Sequence, residues 1–588
     1  MKRSLPFRTI VISLVGLIVL LVVADITLSK LALRKLKSVF EQAGITVRTV
    51  NVDLVTRSVS LKGFEWRTEE KTDSLTEGNR PKAFSKVQIS IETIRASWIN
   101  VLALVRNKEV NIGSLTLAEG KIVADRRLPD KTKNNNSPST EESPQTRHLP
   151  FNHLSIGTLS IKNVELIVRQ DTITEHRASV DLTLHNAILA EPDRLDDVNA
   201  YTLDDFDIAV KAYKMTAQRS MYTLDVKAIA FNSKSKELTL ESIALIPRYG
   251  KYKFSRRLGK QFDRFVLRVP KVELTGLDIS KIRDSIITAS SLKIKNADLY
   301  VFRDKRLPFI KHNDTPLPVE LIRKLRFGFA LDSLLLVDTK IKYEEFPEKG
   351  FQTGYILFDN LQANVAKVTN RDFYPGHKQS VLHVTSRVMQ NGTIKVDFTL
   401  PYDKAQVYNA KGRISNLRLE TLNPMLESLA FVKVESGRLN ALDFDFSYDN
   451  VASRGNLLVN YENLKIAGLT KDKQAKENDV KSFALNLFVK KDKGKEVPVE
   501  KRSGKIYYER DQRRAVFNVW VKSLFSGVKS SVVDPPSERK PQTRKEKRDS
   551  IRHLRKENRE KKKKERQEEK NEKRTEKSDS VNVITSRI

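Results

Sequence analysis

Apolar and polar residues alternate with period two through most of this 588-residue chain, and nothing else in it limits the fold as tightly. A β-strand turns successive side chains to opposite faces, whereas a helix brings its apolar positions round every three to four residues. Val87, Ile89 and Ile91 alternate with Gln88, Ser90 and Glu92, and Val180, Leu182 and Leu184 with Asp181, Thr183 and His185. Phe327, Phe329 and Leu331 alternate with Arg326, Gly328 and Ala330, and Leu442, Phe444, Phe446 and Tyr448 with Asp443, Asp445 and Ser447. The expected fold class is mainly β: an antiparallel sheet with one dry face and one wet face. A chain this long exceeds one compact core, so the sheet is expected to be elongated. A hydrophobic content of 39%, low for a globular protein, fits strands with a single dry face.

An imperfect repeat joins several strands. Val110–Asp125 reads VNIGSLTLAEGKIVAD and Leu154–Arg169 reads LSIGTLSIKNVELIVR. Leu292–Arg303 (LKIKNADLYVFR) and Leu334–Glu344 (LLLVDTKIKYE) share the pattern of an apolar pair, a polar or Gly-bearing turn, then another apolar strand. Leu115 and Leu117 are odd-numbered and Ile122 is even, so one face for all three needs an odd-length turn or bulge.

Few helices are expected. Trp98–Arg106 (WINVLALVR) suits a short one, and Pro424–Phe431 another, with Asn423 as N-cap and Pro424 at the first helical position. Val516, Val519, Trp520, Leu524, Phe525 and Val528, with Lys522 and Lys529, suit an amphipathic helix. Such a helix serves a membrane surface or a sheet equally well. Arg127–Gln145 reads as a disordered loop, and Lys471–Glu477 and Lys490–Lys501 as charged loops.

At the start of the chain Lys2, Arg3 and Arg8 precede an apolar run from Thr9 to Ala24. Its length, about 24 Å as a helix, falls short of the ~30 Å hydrocarbon core, and Phe7, Ile26 and Leu28 extend it if Arg8 snorkels. The preferred reading is a retained anchor continued by an amphipathic helix over Ile26–Phe40. A cleavable signal peptide, with Val22 and Ala24 before the cut, is the alternative. Either exports the rest of the chain if the N-terminus stays inside.

The formal charge is +33. Ser537–Ile588 holds 20 Lys/Arg and 11 Asp/Glu, a net of +9, which leaves +24 to residues 1–536. The tail, with Lys561, Lys562, Lys563 and Lys564 in succession, suits an anionic head group or a solvated extension. Nucleic acid is a poor partner for it, because it lacks Phe, Tyr and Trp for base stacking.

Enzyme chemistry finds no foothold. With no cysteine there are no disulfides, thiolate nucleophiles or Cys-zinc sites. No G-x-S-x-G, Walker-type G-x-x-x-x-G-K-[ST] or H-E-x-x-H occurs, and the eight histidines form no close ligand pair. Asp193–Asp207 lacks the glycine and terminal glutamate of an EF-hand. No catalytic residue, metal or cofactor is expected.

Three stretches carry a family resemblance. Ala43–Phe64 (AGITVRTVNVDLVTRSVSLKGF), directly after the anchor, and Ser90–Arg126 resemble the start of AsmA-like envelope proteins. Gly412–Tyr448, followed by Gly455–Leu469, resembles the repeated domain found in them. Together the likeness covers most of residues 1–530, and the charged tail departs from it. The resemblance implies a single-pass bacterial inner-membrane protein with a curved β-groove in the periplasm, related to bridge-like lipid-transfer proteins. It implies an anchor over 1–42, an N-terminal β region over 43–126, a loop over 127–149 and a central groove over 150–410. A C-terminal β region over 411–536 and the tail over 537–588 complete it.

The implied partner is a phospholipid or other membrane lipid, with the tail reaching toward an outer-membrane or anionic surface. Candidate groove residues are Val87, Ile89, Ile91, Leu115, Leu117, Leu159, Ile161, Phe327, Phe329, Leu331, Phe444 and Phe446. Trp520, Leu524, Phe525 and Lys561–Lys564 are candidates for a membrane surface. About 25 strands at ~4.8 Å would give a groove on the order of 120 Å long. An envelope scaffold with a closed β core and a partner-recruiting tail is the alternative function.

Overall fold

The computed structural model describes residues 45–53, 55–67, 76–77, 80–81, 86–107, 109–126, 153–170, 173–189, 201–202, 204–216, 221–309, 315–350, 352–402, 407–429, 431–468 and 500–532. The anchor, the loop over 127–149 and the tail with Lys561–Lys564 lie outside these residues. The chain divides into two units at Val532/Val533, and everything described belongs to the first. Of the described residues 69% are strand and 14% helical, so the mainly-β expectation holds.

The strands are β1 (Ile45–Asp53), β2 (Ser58–Arg67), the two-residue pair β3 (Thr76–Glu77) and β4 (Arg80–Pro81), β5 (Lys86–Ile99), β6 (Glu109–Arg126), β7 (His153–Gln170) and β8 (Ile173–Leu189). There follow β9 (Tyr201–Thr202), β10 (Asp205–Met215), β11 (Tyr222–Asn232), β12 (Glu237–Pro247), β13 (Asp263–Thr275), β14 (Ile286–Lys295), β15 (Asp298–Asp304) and β16 (Gly328–Phe346). The rest are β17 (Gly354–Thr369), β18 (Gln379–Val388), β19 (Gly392–Pro401), β20 (Tyr408–Arg418), β21 (Val432–Tyr448), β22 (Ala452–Gly468) and β23 (Glu500–Glu509). All but β3 and β4 form one curved sheet of 21 strands. Each strand pairs with its successor in the chain, β3 and β4 aside. The exceptions are two shared lanes: β9 and β10 follow one another along β8, and β14 and β15 lie end to end between β13 and β16. That leaves 19 lanes, about 91 Å of sheet at ~4.8 Å per lane, shorter than the strand-count expectation.

The antiparallel expectation needs correcting at two steps. β6 and β7 pair in parallel, and so do β14 and β15 with β16. Both are places where copies of the sequence repeat lie side by side in register, Val110 beside Leu154 and Leu292 beside Leu334. A parallel step needs a long return connection, which residues 127–152 and 305–327 supply in length.

The parity change within the repeat is made by single left-handed residues. Glu119 in β6 (φ 54°) and Asn163 in β7 (φ 52°) face each other, bracketed by the pairs Ala118–Lys162 and Gly120–Val164. Asn296 (φ 55°) and Asp338 (φ 52°) do the same in the second pair of copies. Each inserts one residue into the alternation and bends the strand, so Leu115, Leu117 and Ile122 join one cluster despite their parity. At Asn163 the bend is tied to the neighbouring strand: Oδ1 accepts from Ser179 Oγ at 3.2 Å, and the backbone N–H donates to Asp181 Oδ1 at 2.6 Å.

Among the described residues five α-helices sit on the sheet or at its ends: α1 (Val101–Asn107), α2 (Lys251–Leu258), α3 (Pro318–Arg323), α4 (Asn423–Leu429) and α5 (Val516–Val532). The first expected helix is shorter than Trp98–Arg106, since Trp98 and Ile99 stay in β5. Asn423 is not an N-cap: it is already helical (φ −53°, ψ −38°), following a 3-10 turn over Leu419–Leu422. Its side chain instead pairs with the backbone of Val434, donating to the carbonyl and accepting from the N–H at 2.8 Å each. The same helix ends at Leu429, short of Phe431. Phe327 lies outside β16, which begins at Gly328, and the charged stretch to Lys501 runs into β23 from Glu500.

Candidate functional site

Two rows of apolar residues cross the sheet without a break. Read through successive register pairs, the first begins Val50, Leu61, Ile94, Leu117, Ile161, Leu182, Ile208, Phe231, Leu238, Leu274. It continues Leu292, Leu334, Val365, Leu382, Phe398, Ala410, Phe446, Gly455, Ile506. The second starts at Val47, Phe64, Ile91 and Gly120, crosses the middle at Val180, Val210, Ile229, Leu240 and Val272, and ends at Phe444, Leu457 and Gly504. Every lane contributes an apolar residue or a glycine to both. Side chains paired across strands lie about 5 Å apart, so the rows form one continuous apolar face.

Cover over that face is uneven. At one end Leu61, Phe64, Ile91 and Ile94 are buried, and at the other Phe398, Ala410, Phe444, Phe446 and Ile506. Between them, over β8 and β10–β14, eleven of the twelve row residues remain partly exposed and only Phe231 is buried. Among the described residues, no helix packs along these middle rows.

Helix α5 supplies the cover at the C-terminal end. Trp520 stacks on Phe398, with ring centroids 4.2 Å apart, and meets Tyr448 edge-on at 6.5 Å. Phe517 contacts Tyr343 and Phe358, in β16 and β17. On its other flank Ser523 and Ser453 of β22 share a buried hydrogen bond of 2.6 Å, and Ser530 Oγ donates to the Lys505 carbonyl of β23. One helix thus spans from β16 to β23 across the apolar face. Its close approach needs Gly504 and Gly527, where a Cβ on either would collide with the opposing backbone or with Leu457.

The opposite face is ionic. Lys211 pairs with Asp181 at 2.7 Å, Arg387 with Asp359 at 2.6 Å and His383 with Asp397 at 2.7 Å. Glu273 takes both Lys271 and Lys295, and these hydrogen bonds lower its carboxyl to about 2. A shallow depression of about 830 Å³ lies among such pairs, lined by His383, Lys395, Asp397, Arg413 and Asp443. Most of its charges are mutually compensated.

A polar row interrupts the apolar face at one edge. Phe265, Val301 and Tyr343 are in register, and two residues on, the same three strands present Asp263, Arg303 and Glu345. Arg303 grips Asp263 through Nε at 2.7 Å and Nη2 at 2.9 Å. Lys305 donates to Glu345 at 2.6 Å, and the Tyr343 hydroxyl donates to its other oxygen at 2.8 Å. Burial pushes the Asp263 carboxyl up, against the pull of Arg303, and burial likewise raises the Tyr343 phenol. Lys522 of α5 keeps solvent access, yet desolvation first, then Lys305 and Arg514, hold its pKa below the usual lysine value, against Glu345.

The residues singled out from sequence lie on or beside the apolar face in unequal settings. Val87, Ile89, Ile91 and Leu115 are buried in the first cluster, with Leu117 and Leu159 packed against it. Ile161 is partly exposed at the start of the open stretch. Leu331, Phe444 and Phe446 are buried in the second cluster and Phe329 packs on it. Trp520 and Leu524 pack on the sheet, whereas Phe525 is 37% exposed. Sequence reading passed over the open middle at Ile208, Ile229, Leu240 and Val272. Phe206, Ile208 and Val210 alternate visibly, but Ala212 (φ 51°) and Ser242 (φ 51°) break the period in β10 and β12.

Compared with known proteins, the chain matches no family model and no curated protein. Among the described residues no helix is long and apolar enough to cross a membrane, and no group of His, Asp and Glu could hold a metal ion.

Proposed function

We propose that this protein is a non-enzymatic, membrane-anchored envelope protein, akin to the AsmA-like proteins it resembles. It holds lipid acyl chains along the apolar face of its sheet and supports phospholipid transport or outer-membrane assembly. The observation that carries this reading is the pair of apolar rows that cross the sheet and, among the described residues, have no helix packed along them over β8 and β10–β14. Soluble monomers rarely leave so extended an apolar surface open, and an apolar ligand is its natural cover.

The energetics favour a conduit over a tight receptor. Exposing a 16-carbon chain to water costs on the order of 13 kcal/mol at ~0.8 kcal/mol per CH₂. A groove offers the chain an environment close to that of the bilayer, so it lowers the barrier to leaving the membrane without trapping the lipid. The apolar run Thr9–Ala24 precedes edge strand β1, so the anchoring membrane would lie at that end of the ladder.

The test is lipid analysis of the full chain purified in a mild detergent: co-purifying phospholipid, about one or more per chain, is expected. The scaffold reading draws on α5, which closes the C-terminal lanes as a core helix would. A lipid-free chain whose middle rows are shielded from solvent labels would favour it.

A further inference from the structure

Among the described residues the three most exposed large apolar side chains are Val55 at 92%, Trp98 at 70% and Leu102 at 70%. Val55 lies in the β1–β2 turn, Trp98 is the second-last residue of β5, and Leu102 is in α1, which leads to β6. Strand register brings all three to the same end of β1, β2, β5 and β6. Backbone hydrogen bonds join the segments there: the Ile99 N–H donates to the Arg57 carbonyl at 3.1 Å, and the Asn100 N–H to the Asn111 carbonyl at 2.9 Å. Asp53 Oδ1 accepts from the N–H groups of Val55 and Thr56 at 2.9 and 3.1 Å, which fixes the turn that carries Val55.

Trp98 is turned outward by its backbone. Ile94 and Ala96 are buried, and unbroken alternation would bury Trp98 next. Its φ of 58° shifts the period by one, so Ile99 takes the buried place and the indole goes out. That conformation is strained for a bulky residue and persists only where the surroundings enforce it. A Cβ on Gly113 would lie 2.7 Å from the Cβ of Trp98, so the glycine of Ile112-Gly113-Ser114-Leu115 makes room for the tryptophan. Arginine outnumbers acid at this corner. Arg57, Arg95 and Arg106 are exposed and, among the described residues, form no ion pair. Against them stand Glu109 and Asp53, and the Asp53 carboxylate is taken up by the turn.

We infer that this corner, made of the β1–β2 turn, Trp98 and α1, rests in the head-group layer of the bilayer that anchors the chain. Val55, Trp98 and Leu102 enter the interface, and the arginines meet anionic lipid. This rests on the anchored-envelope reading above. An indole joins an apolar body to one N–H donor, which is the chemistry of the head-group level. Reach allows the contact. Residues 25–44, between the apolar run and β1, span about 30 Å even if wholly helical, and nine-residue β1 is about as long. The chain can leave the membrane, enter β1 at Ile45 and return along it to Val55 at the surface. A protein partner is the other cover for such a patch; unpaired arginines beside an indole, within reach of an anchor, favour lipid.

The chain has three tryptophans, with Trp66 buried and Trp520 stacked on Phe398. The difference in emission between wild type and Trp98→Phe therefore reports the exposed one. The full chain is reconstituted into bilayers of phosphatidylcholine and phosphatidylglycerol, with or without bromine on the acyl chains close to the head group, and incorporation is checked by flotation. The Trp98 emission should be blue-shifted and should lose about half or more of its intensity to the brominated lipid. Val55→Asp combined with Leu102→Asp, at positions too exposed to threaten the fold, should restore most of that intensity. Arg106→Gln should lower the ratio of quenched to unquenched Trp98 by on the order of fivefold in the anionic bilayer and leave it unchanged in phosphatidylcholine alone. A chain that floats with the bilayer while Trp98 stays water-exposed and unquenched overturns the contact, leaves the anchor standing and assigns the patch to a protein partner. Quenching unchanged in the double Asp variant also overturns it. A chain that does not float removes the anchor reading and this contact together.

Discussion

Trp520 of α5 lies stacked on Phe398 of β19, with ring centroids 4.2 Å apart and planes 27° from parallel. That pair fixes where the apolar face stops being available, because the helix carrying Trp520 also reaches Tyr343 on one side and Ser453 on the other. Trp520→Ala should cost about 3 kcal/mol of stability, the low end for removing a packed indole that is only partly buried. Denaturant unfolding of the full chain checks this; a loss under 1 kcal/mol would mean the helix is held elsewhere.

Gly527 and Gly504 set how deeply α5 sits. Gly527→Val would drive a side chain into Leu457 and Ile506. The helix should lift while β22 and β23 keep their ladder. Hydrogen exchange should then show faster amide exchange over Val516–Val532 and unchanged protection over Ala452–Tyr461. Equal loss in both would show that helix and sheet unfold as one.

The left-handed residues are predicted to be sites of asymmetric tolerance. Ala212 holds φ at 51°, a region an L-residue pays to occupy, so Ala212→Gly should stabilise by about 0.5–1 kcal/mol. Asn163→Val, which brings a β-branched side chain to φ 52° and removes the bond from Ser179, should destabilise by about 1–2 kcal/mol. Thermal unfolding of both variants measures the signs, and the same sign for both would contradict the αL account.

Acid should loosen the ionic face through Glu273. Bonds from Lys271 and Lys295 depress its carboxyl from an ordinary 4.5 to about 2, so the unfolded chain binds the extra proton first. The contribution is complete above pH 4.5 and is lost as pH falls through 2. Glu273→Gln should therefore flatten the stability–pH curve in that window. The pair is exposed, so the difference should shrink in 1 M salt. A curve unchanged by the substitution would assign the acid sensitivity to other carboxylates.

Much of this architecture was legible in the chain. The parity conflict between Leu117 and Ile122 demanded an extra residue, and Glu119 supplies it in the left-handed region. The likeness of Val110–Asp125 to Leu154–Arg169 was also visible, but not that the copies would lie parallel. Alternation is the same in both strand directions, and only the length of the return connection separates them. Asn423 reads as a cap because its side chain accepts hydrogen bonds; the partner it takes, Val434, depends on where β21 starts. Asp263, Arg303 and Glu345 are far apart in sequence and meet only because β15 lies between β13 and β16. Substituting Asp at Phe444 would test packing more than lipid, since that residue is 5% exposed; Ile208 and Leu240 lie on the open part of the same face.

The most direct measurement places a photo-reactive phenylalanine analogue at Ile208 or Leu240, and at Asp181 or Lys211 on the ionic face, in the full chain within living cells. The open apolar face predicts phospholipid adducts at Ile208 and Leu240 and none at Asp181 or Lys211. No adduct at either groove position, or equal labelling of both faces, would contradict it.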